Sequence, residues 1–234
     1  MTNADLQSRY QEILKQIEIA CRANNRDRSE VRLIAVSKGQ SADAIASLYH
    51  LGQRDFGENY LQELSEKAIQ LKDLSDIMWH FIGGLQSNKI KNILKICAEI
   101  HTVASAKHIK LLEDECVKSE INQYPIYLSI NIGNEESKNG AKLEEIPFLL
   151  KTIALHPRLL LRGFMAIPPP LTSNDRTPQE IAELYALLTQ LTQQHNLRHL
   201  SLGMSDDLYL AIKAGSTDLR IGTALFGPRS VKKN

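Results

Sequence analysis

A lysine at the end of an apolar run is the group in this chain best placed for covalent chemistry. The stretch Val31-Arg32-Leu33-Ile34-Ala35-Val36-Ser37-Lys38 has the continuous Val/Leu/Ile/Ala character of a strand buried on both faces, as in a parallel sheet covered by helices. Lys38 then stands at the strand's carboxyl end, where open α/β sheets and (β/α)8 barrels bind their ligands. Because lysine is rarely fully buried, an arbitrary strand-end lysine is most often simply solvated. One whose pKa is lowered by burial or by a nearby cation can instead form a Schiff base with an aldehyde.

A second constellation lies near the carboxyl terminus. Gly203-Met204-Ser205 and Arg220-Ile221-Gly222-Thr223 follow the last two predicted strands. In barrels these two loops often bind phosphate, because unpaired N–H groups and a helix dipole favour an anion there. Ser205 is expected to open a helix, Gly222 to let backbone approach the anion, and the Thr223 hydroxyl to donate to it. Each feature alone also fits an ordinary βα turn; their occurrence at both favoured junctions points to phosphate. Asp206 and Asp207 would repel an anion and are expected to face away. A Schiff-base lysine beside a phosphate cradle describes a site for pyridoxal 5'-phosphate, PLP. Arg220 refines this, since a guanidinium facing the pyridine nitrogen cannot give up a proton and would leave that nitrogen unprotonated, making the ring a weak electron sink.

The elements that must position these groups alternate along the chain. An amphipathic helix is expected over 4–24, with apolar residues from Leu6 to Cys21 on one stripe and Thr2 and Asp5 as its cap. Strands follow at 31–37, 54–57, 77–82, 98–103, 125–132, 159–167, 199–203 and 217–221, separated by helical patterns. Thr177-Pro178-Gln179-Glu180 makes a strong helix start. Eight βα units after an extra amino-terminal helix predict one (β/α)8 TIM barrel spanning 1–234; a doubly wound open sheet is the alternative. Closing the barrel would gather Lys38, Glu58, Asn59, His80, Lys138, Met165, Ser205, Arg220, Gly222 and Thr223 at one mouth. Lys138 competes with Lys38 as nucleophile but belongs to a polar loop, and rigid strands position nucleophiles better. His80 there reads as a base or, as often, as a structural hydrogen-bonding residue.

Composition narrows the function classes. The 234 residues are 43% hydrophobic and 24% charged, with a formal net charge of +1, which fits an ordinary globular protein and gives no basic footprint for nucleic acid. Cys21, Cys97 and Cys116 have neither metal spacing nor a disulfide framework, so free thiols in a reducing compartment are expected. The amino terminus does not read as a targeting peptide, and no apolar run is long enough for a membrane span. A cytoplasmic protein without a metal site is expected.

Seven segments carry a resemblance: Ala35-Val36-Ser37-Lys38, Phe56-Gly57-Glu58-Asn59-Tyr60, Trp79-His80-Phe81-Ile82-Gly83, Leu85-Gln86-Ser87-Asn88-Lys89, Gly163-Phe164-Met165-Ala166-Ile167-Pro168, Leu202-Gly203-Met204-Ser205 with Asp207, and Arg220 through Gly227. By these the chain resembles the pyridoxal phosphate homeostasis protein family over nearly its whole length. The resemblance implies a monomeric or weakly associating fold-type III barrel, similar to the amino-terminal domain of alanine racemase. It implies PLP on Lys38, phosphate around Ser205, Gly222 and Thr223, and Arg220 near the ring nitrogen, with Asn59, His80, Met165 and Met204 lining the pocket. It further implies a cofactor carrier or regulator acting in vitamin B6 and amino-acid balance, with apo-PLP enzymes as possible recipients. A racemase-like enzyme of the same fold is the alternative. Against it, racemases of this type add a carboxyl-terminal β domain, whereas this chain ends about a dozen residues after its last strand signature, which would leave a bound cofactor open to water. A cofactor-free Schiff-base aldolase is disfavoured by the motifs.

Overall fold

The structure is a computed structural model that describes residues 2–133, 140–168 and 177–227. Eight parallel strands close into a barrel in sequential order, each paired with the next and the last with the first. They are β1 (Arg32–Val36), β2 (Asp55–Glu58), β3 (Met78–Phe81), β4 (Glu99–Val103), β5 (Tyr124–Ile130), β6 (Leu159–Ala166), β7 (His199–Ser201) and β8 (Asp218–Ile221). The open-sheet alternative is thereby excluded. Outside the strands lie α1 (Asn3–Ala23), α2 (Ala42–His50), α3 (Leu61–Gln70), α4 (Ile90–Ile96), α5 (Ala106–Lys118), α6 (Ile146–Ala154), α7 (Pro178–Gln194), α8 (Leu208–Lys213) and α9 (Thr223–Phe226).

Local chemistry sets several of these boundaries. Thr2 and Asp5 form the expected capping box of α1, and Thr177 and Glu180 that of α7, where Pro178 occupies the first turn without wasting a donor. The stripe Leu6, Tyr10, Ile13, Ile17, Ala20 and Cys21 is buried, so α1 packs on the barrel by its predicted face. All three cysteines are buried free thiols. Strand β7 is shorter than its apolar run suggested, and α8 begins at Leu208 rather than Ser205. The chain turns away at Gly203, whose φ of +92° suits glycine, so the residues after it cannot continue either element.

The barrel's amino-terminal end is closed by charge. Arg32, Asp55, Glu99 and Asp218 are the first residues of β1, β2, β4 and β8. The Arg32 guanidinium reaches Asp218 Oδ1 at 2.6 Å, Glu99 Oε2 at 2.7 Å and Asp55 Oδ1 at 3.5 Å. Since β1 and β4 are not neighbours, the contact to Glu99 crosses the barrel interior. Tyr127 donates to Asp218 Oδ2 at 3.0 Å and stacks on His101 with ring centroids 4.1 Å apart. Burial by itself would raise Asp218 and Glu99; for Asp218 the adjacent His199 and Arg32, and for Glu99 the two histidines and Arg32, outweigh it and hold both carboxyls below the usual range.

The described residues bring His80, Glu99 and His101 within reach of one another, with ligating atoms no more than 4.8 Å apart, a cluster that sequence spacing had not shown. The Glu99 oxygen facing the histidines is the one already bound by Arg32. That guanidinium supplies the cation, and it would repel a divalent ion, so the trio reads as part of the ion network.

Two expectations follow for stability. Asp218→Ala should destabilise the fold by about 3 kcal/mol in urea denaturation, because it strands a buried part of Arg32 and the Tyr127 hydroxyl without their acceptor. The histidines set the pH profile near neutrality. Burial lowers His101 to about 4, so the unfolded chain binds the extra proton and stability falls as pH drops from about 6.5 towards 4. His80 is opposed by burial but raised by Asp55 and Glu99, so its contribution is complete below about pH 6.5 and is lost as pH rises through the higher folded value. Urea midpoints measured against pH should peak near about pH 6.5, and His80→Asn should flatten the alkaline side.

Candidate functional site

At the carboxyl ends of the strands lies a cavity of about 440 Å³. Side chains alternate in and out along each strand, so Val36 and, two residues on, Lys38 line it from β1. Asn59 enters from the end of β2 and Ile82 from that of β3. Met204, Ser205 and Asp206 come from the loop after β7; Arg220, Gly222 and Thr223 come from β8 and the turn into α9. A smaller cavity of about 240 Å³ adjoins it, sharing Asn59, Ile82 and Ile167 and adding Met165, Ser129, Thr102 and Asn131.

Of the nine residues to which the resemblance gave a cofactor role, eight therefore line one of these two adjoining spaces, whereas Glu58, also expected at the mouth, is fully buried against Ser37 and Lys67 and lines neither. The ninth, His80, also lines neither. It is fully buried within β3, its Nε2 is 2.9 Å from Asp55 Oδ1 and its Nδ1 is 3.2 Å from His101 Nε2. The strand runs one residue further than the histidine, so Ile82 takes the place at the mouth and His80 belongs to the ion network below. Lys138 lies outside the described residues, as does most of the loop 168–177.

Arg220 is almost wholly buried and held rigidly. Its Nη1 donates to the Ser201 carbonyl and hydroxyl oxygens, both at 2.6 Å, and its Nη2 to the Ala166 carbonyl at 2.8 Å. Burial lowers its pKa, yet a guanidinium stays charged at neutral pH. The planar cation thus presents donors, and no acceptor, to the cavity.

Ser205 does not cap α8 as anticipated. Its hydroxyl oxygen accepts the Ala224 N–H at 3.1 Å, which ties the β7 loop to the first turn of α9. The hydroxyl proton can still be donated, and Thr223 lines the same side. Of the two acids expected to turn away, Asp207 does so, accepting from Tyr185 Oη and the Met204 N–H, each at 2.5 Å. Asp206 instead lines the cavity, but at its exposed rim where water screens its charge. Sequence reasoning missed Ser129, Thr102, Asn131 and Gln40. Ser129 carried a faint signal, a lone hydroxyl in the apolar β5 on the same face as Tyr127.

Two features bear on whether this cavity suits PLP. Asn59 Oδ1 is buried and has no hydrogen-bond partner within the protein, a polar group whose desolvation only a ligand would offset. Gly222 lines the cavity with bare backbone, and a Cβ there would stand in ordinary contact 3.4 Å from the Val36 Cβ, so the peptide itself is presented to a ligand. A primary amine, a rigid guanidinium, two hydroxyls and a bare glycine match the aldehyde, ring nitrogen and phosphate of that cofactor, and the residues fit it.

Comparisons with known proteins bear on the family and the fold. Residues 16–230 match the family model described as alanine racemase, N-terminal domain. The chain is 41% identical over 224 residues to the pyridoxal phosphate homeostasis protein of Haemophilus influenzae, covering 93% of each. The structure of PipY from Synechococcus elongatus with PLP bound superposes with a TM-score of 0.77 at 32% identity, over 92% of this chain and all of that one. Alanine racemase of Corynebacterium glutamicum shares the fold, with a TM-score of 0.66 at 18% identity over 98% of this chain and 62% of the racemase. From full-length sequence similarity as well as from its barrel, the chain belongs to the pyridoxal phosphate homeostasis protein family, built on the alanine racemase N-terminal domain.

Proposed function

We propose that this protein binds PLP through Lys38 and serves in the homeostasis of that cofactor, as a carrier or regulator without a reaction of its own. The observation that carries the reading is the convergence of Lys38, Arg220, Ser205, Gly222 and Thr223 on one cavity, from strands at the two ends of the chain. Relatives named pyridoxal phosphate homeostasis proteins and the PLP-bound PipY structure support it. When bound, PLP supplies an electrophilic aldehyde and an electron-withdrawing ring.

The chain's own residues have distinct parts in this reading. Lys38 would offer its amine from the hydrogen-bonded turn that follows β1, where its backbone is already ordered before linkage. Ser205 and Thr223 donate hydroxyl protons to the phosphate. Asn59, whose buried Oδ1 lacks a partner, would supply a polar contact to the bound cofactor, and Met165 and Met204 would supply apolar contact. Arg220 keeps the ring nitrogen unprotonated, since its anchored guanidinium has no lone pair to share and holds its own proton. A ring so held is a poor sink for electrons, which disfavours decarboxylation through a protonated ring nitrogen but does not weigh against racemisation. We place the protein in the cytoplasm as a monomer, with apo-PLP enzymes as recipients. No described helix is long and apolar enough to cross a membrane.

The purified protein should show the visible absorption band of PLP joined to a lysine, and Lys38→Ala should abolish it while leaving the circular dichroism of the barrel unchanged. A colourless wild type after addition of PLP would overturn the reading; interconversion of alanine enantiomers by the yellow protein would replace carrier by enzyme. Thr223→Val should keep the band but weaken PLP binding at least about tenfold, the loss of roughly one hydrogen bond to an anion, measured by equilibrium titration.

A further inference from the structure

A buried ammonium lies directly behind the strand ends that carry Lys38 and Asn59. Lys67, on α3, is 6% exposed. Its Nζ donates to the Ser37 carbonyl oxygen at 2.8 Å, to Glu58 Oε1 at 2.7 Å and to Glu63 Oε2 at 3.1 Å. The same Glu63 oxygen accepts the Gly39 N–H at 2.7 Å, and the Ser37 hydroxyl donates to Glu58 Oε1 at 2.7 Å. The peptide groups on both sides of Lys38 are thus tied to one helix through one cation. Glu58, fully buried, precedes Asn59 and is fixed by the same cation.

The alternation of side chains explains the arrangement. Ser37 and Glu58 point outward to α3 while their neighbours Lys38 and Asn59 line the cavity. Fixing the outward pair fixes the inward pair. Gly39, with φ of +73°, begins the turn out of β1, and the Gln40 N–H closes it on the Ser37 carbonyl at 3.0 Å. That carbonyl therefore takes one bond from the turn and one from Lys67. Hydrophobic residues of similar volume would fill such a place at little or no loss of stability. What an ammonium adds is three directed donors reaching three separate segments.

We propose that Lys67 is a positioning residue for Lys38: acting with Glu63 and Glu58 from outside the cavity, it holds the strand ends at which the Asn59 amide and the Lys38 amine are presented, the amine joining the PLP aldehyde as a C=N bond with release of the carbonyl oxygen as water. This rests on the assignment of Lys38 as the residue that takes PLP. Lys67 touches neither cavity, so its effect falls on the geometry of linkage and not on contacts with the ligand.

The test separates capture of PLP from its covalent linkage, in the full-length protein freed of cofactor. Total bound PLP is read by equilibrium dialysis, and the linked fraction by borohydride reduction with mass spectrometry of the Lys38 peptide over time. Lys67→Met should slow linkage at least about tenfold while bound PLP falls much less, since small misplacements of a reacting group cost rate steeply. Lys67→Arg, which keeps the charge and several donors, should recover part of the rate. Linkage by Lys67→Met at the wild-type rate, with only the thermal midpoint lowered, would overturn the proposal by making the cluster purely structural. Should Lys67→Met fail to fold, Glu63→Gln decides: it sits at a partly exposed position, and slower linkage supports the proposal whereas an unchanged rate overturns it. A wild type that binds no PLP overturns the Lys38 assignment itself, an outcome distinct from normal binding with unaltered linkage.

Discussion

Much of this molecule depends on the way Arg32 is neutralised. A guanidinium at the start of the first strand draws in the first residues of β2, β4 and β8 and a tyrosine of β5, so one side chain ties elements separated by up to 186 positions in the chain. Taking such charges out of water is costly, and the cost is met only when every partner is in place. That makes the floor of the barrel an all-or-none feature. It also fixes the relative heights of β1 and β8, the strands that carry Lys38 and Arg220 to the opposite end.

Above the floor the interior changes character in steps. The histidine pair occupies the middle, reached from below by Asp55 and Glu99 and from above by Ser201, whose hydroxyl is shared between His101 and Arg220. Polar contact is therefore continuous from the charged floor to the cavity that opens at the top. Arg220 lines the cavity with a geometry set by the protein, held by carbonyls of β6 and β7 as well as that hydroxyl. The site is a rigid cup, and the cofactor reading draws its force from that rigidity as much as from residue types.

The outer layer supplies the second set of constraints. Around β1 and β2 the helices do more than cover apolar faces, since α3 sends an ammonium into the gap behind the strand ends. Glycine at 83 serves close packing in the same region, as a Cβ there would lie 1.9 Å from the Asn59 carbonyl oxygen. The end of β3 can therefore press against the backbone that carries Asn59, and bulk at that point would push the amide out of the cavity.

Local sequence determined the number and order of the strands, the caps of α1 and α7, the apolar stripe of α1 and the lysine that follows β1, because these rest on periodicity and near-neighbour hydrogen bonds. The motifs that mark the family also placed Asn59, Met165, Met204, Ser205, Arg220, Gly222 and Thr223 at the strand ends where they line the cavities. Tertiary structure decided what closure alone can decide. His80 looked like a residue of the mouth because it stands near a strand end, but strand stagger lowers it into the ion network. Arg32, Asp55, Glu99 and Asp218 carried no functional signal in the sequence, because only closure brings their side chains together. Ser205 capped a different helix from the one that follows it, and Lys67 reaches back 30 positions to the Ser37 carbonyl beyond β1. In every such case the partner is distant in the chain, and pairing across a barrel depends on register and stagger, which no local pattern of residues encodes.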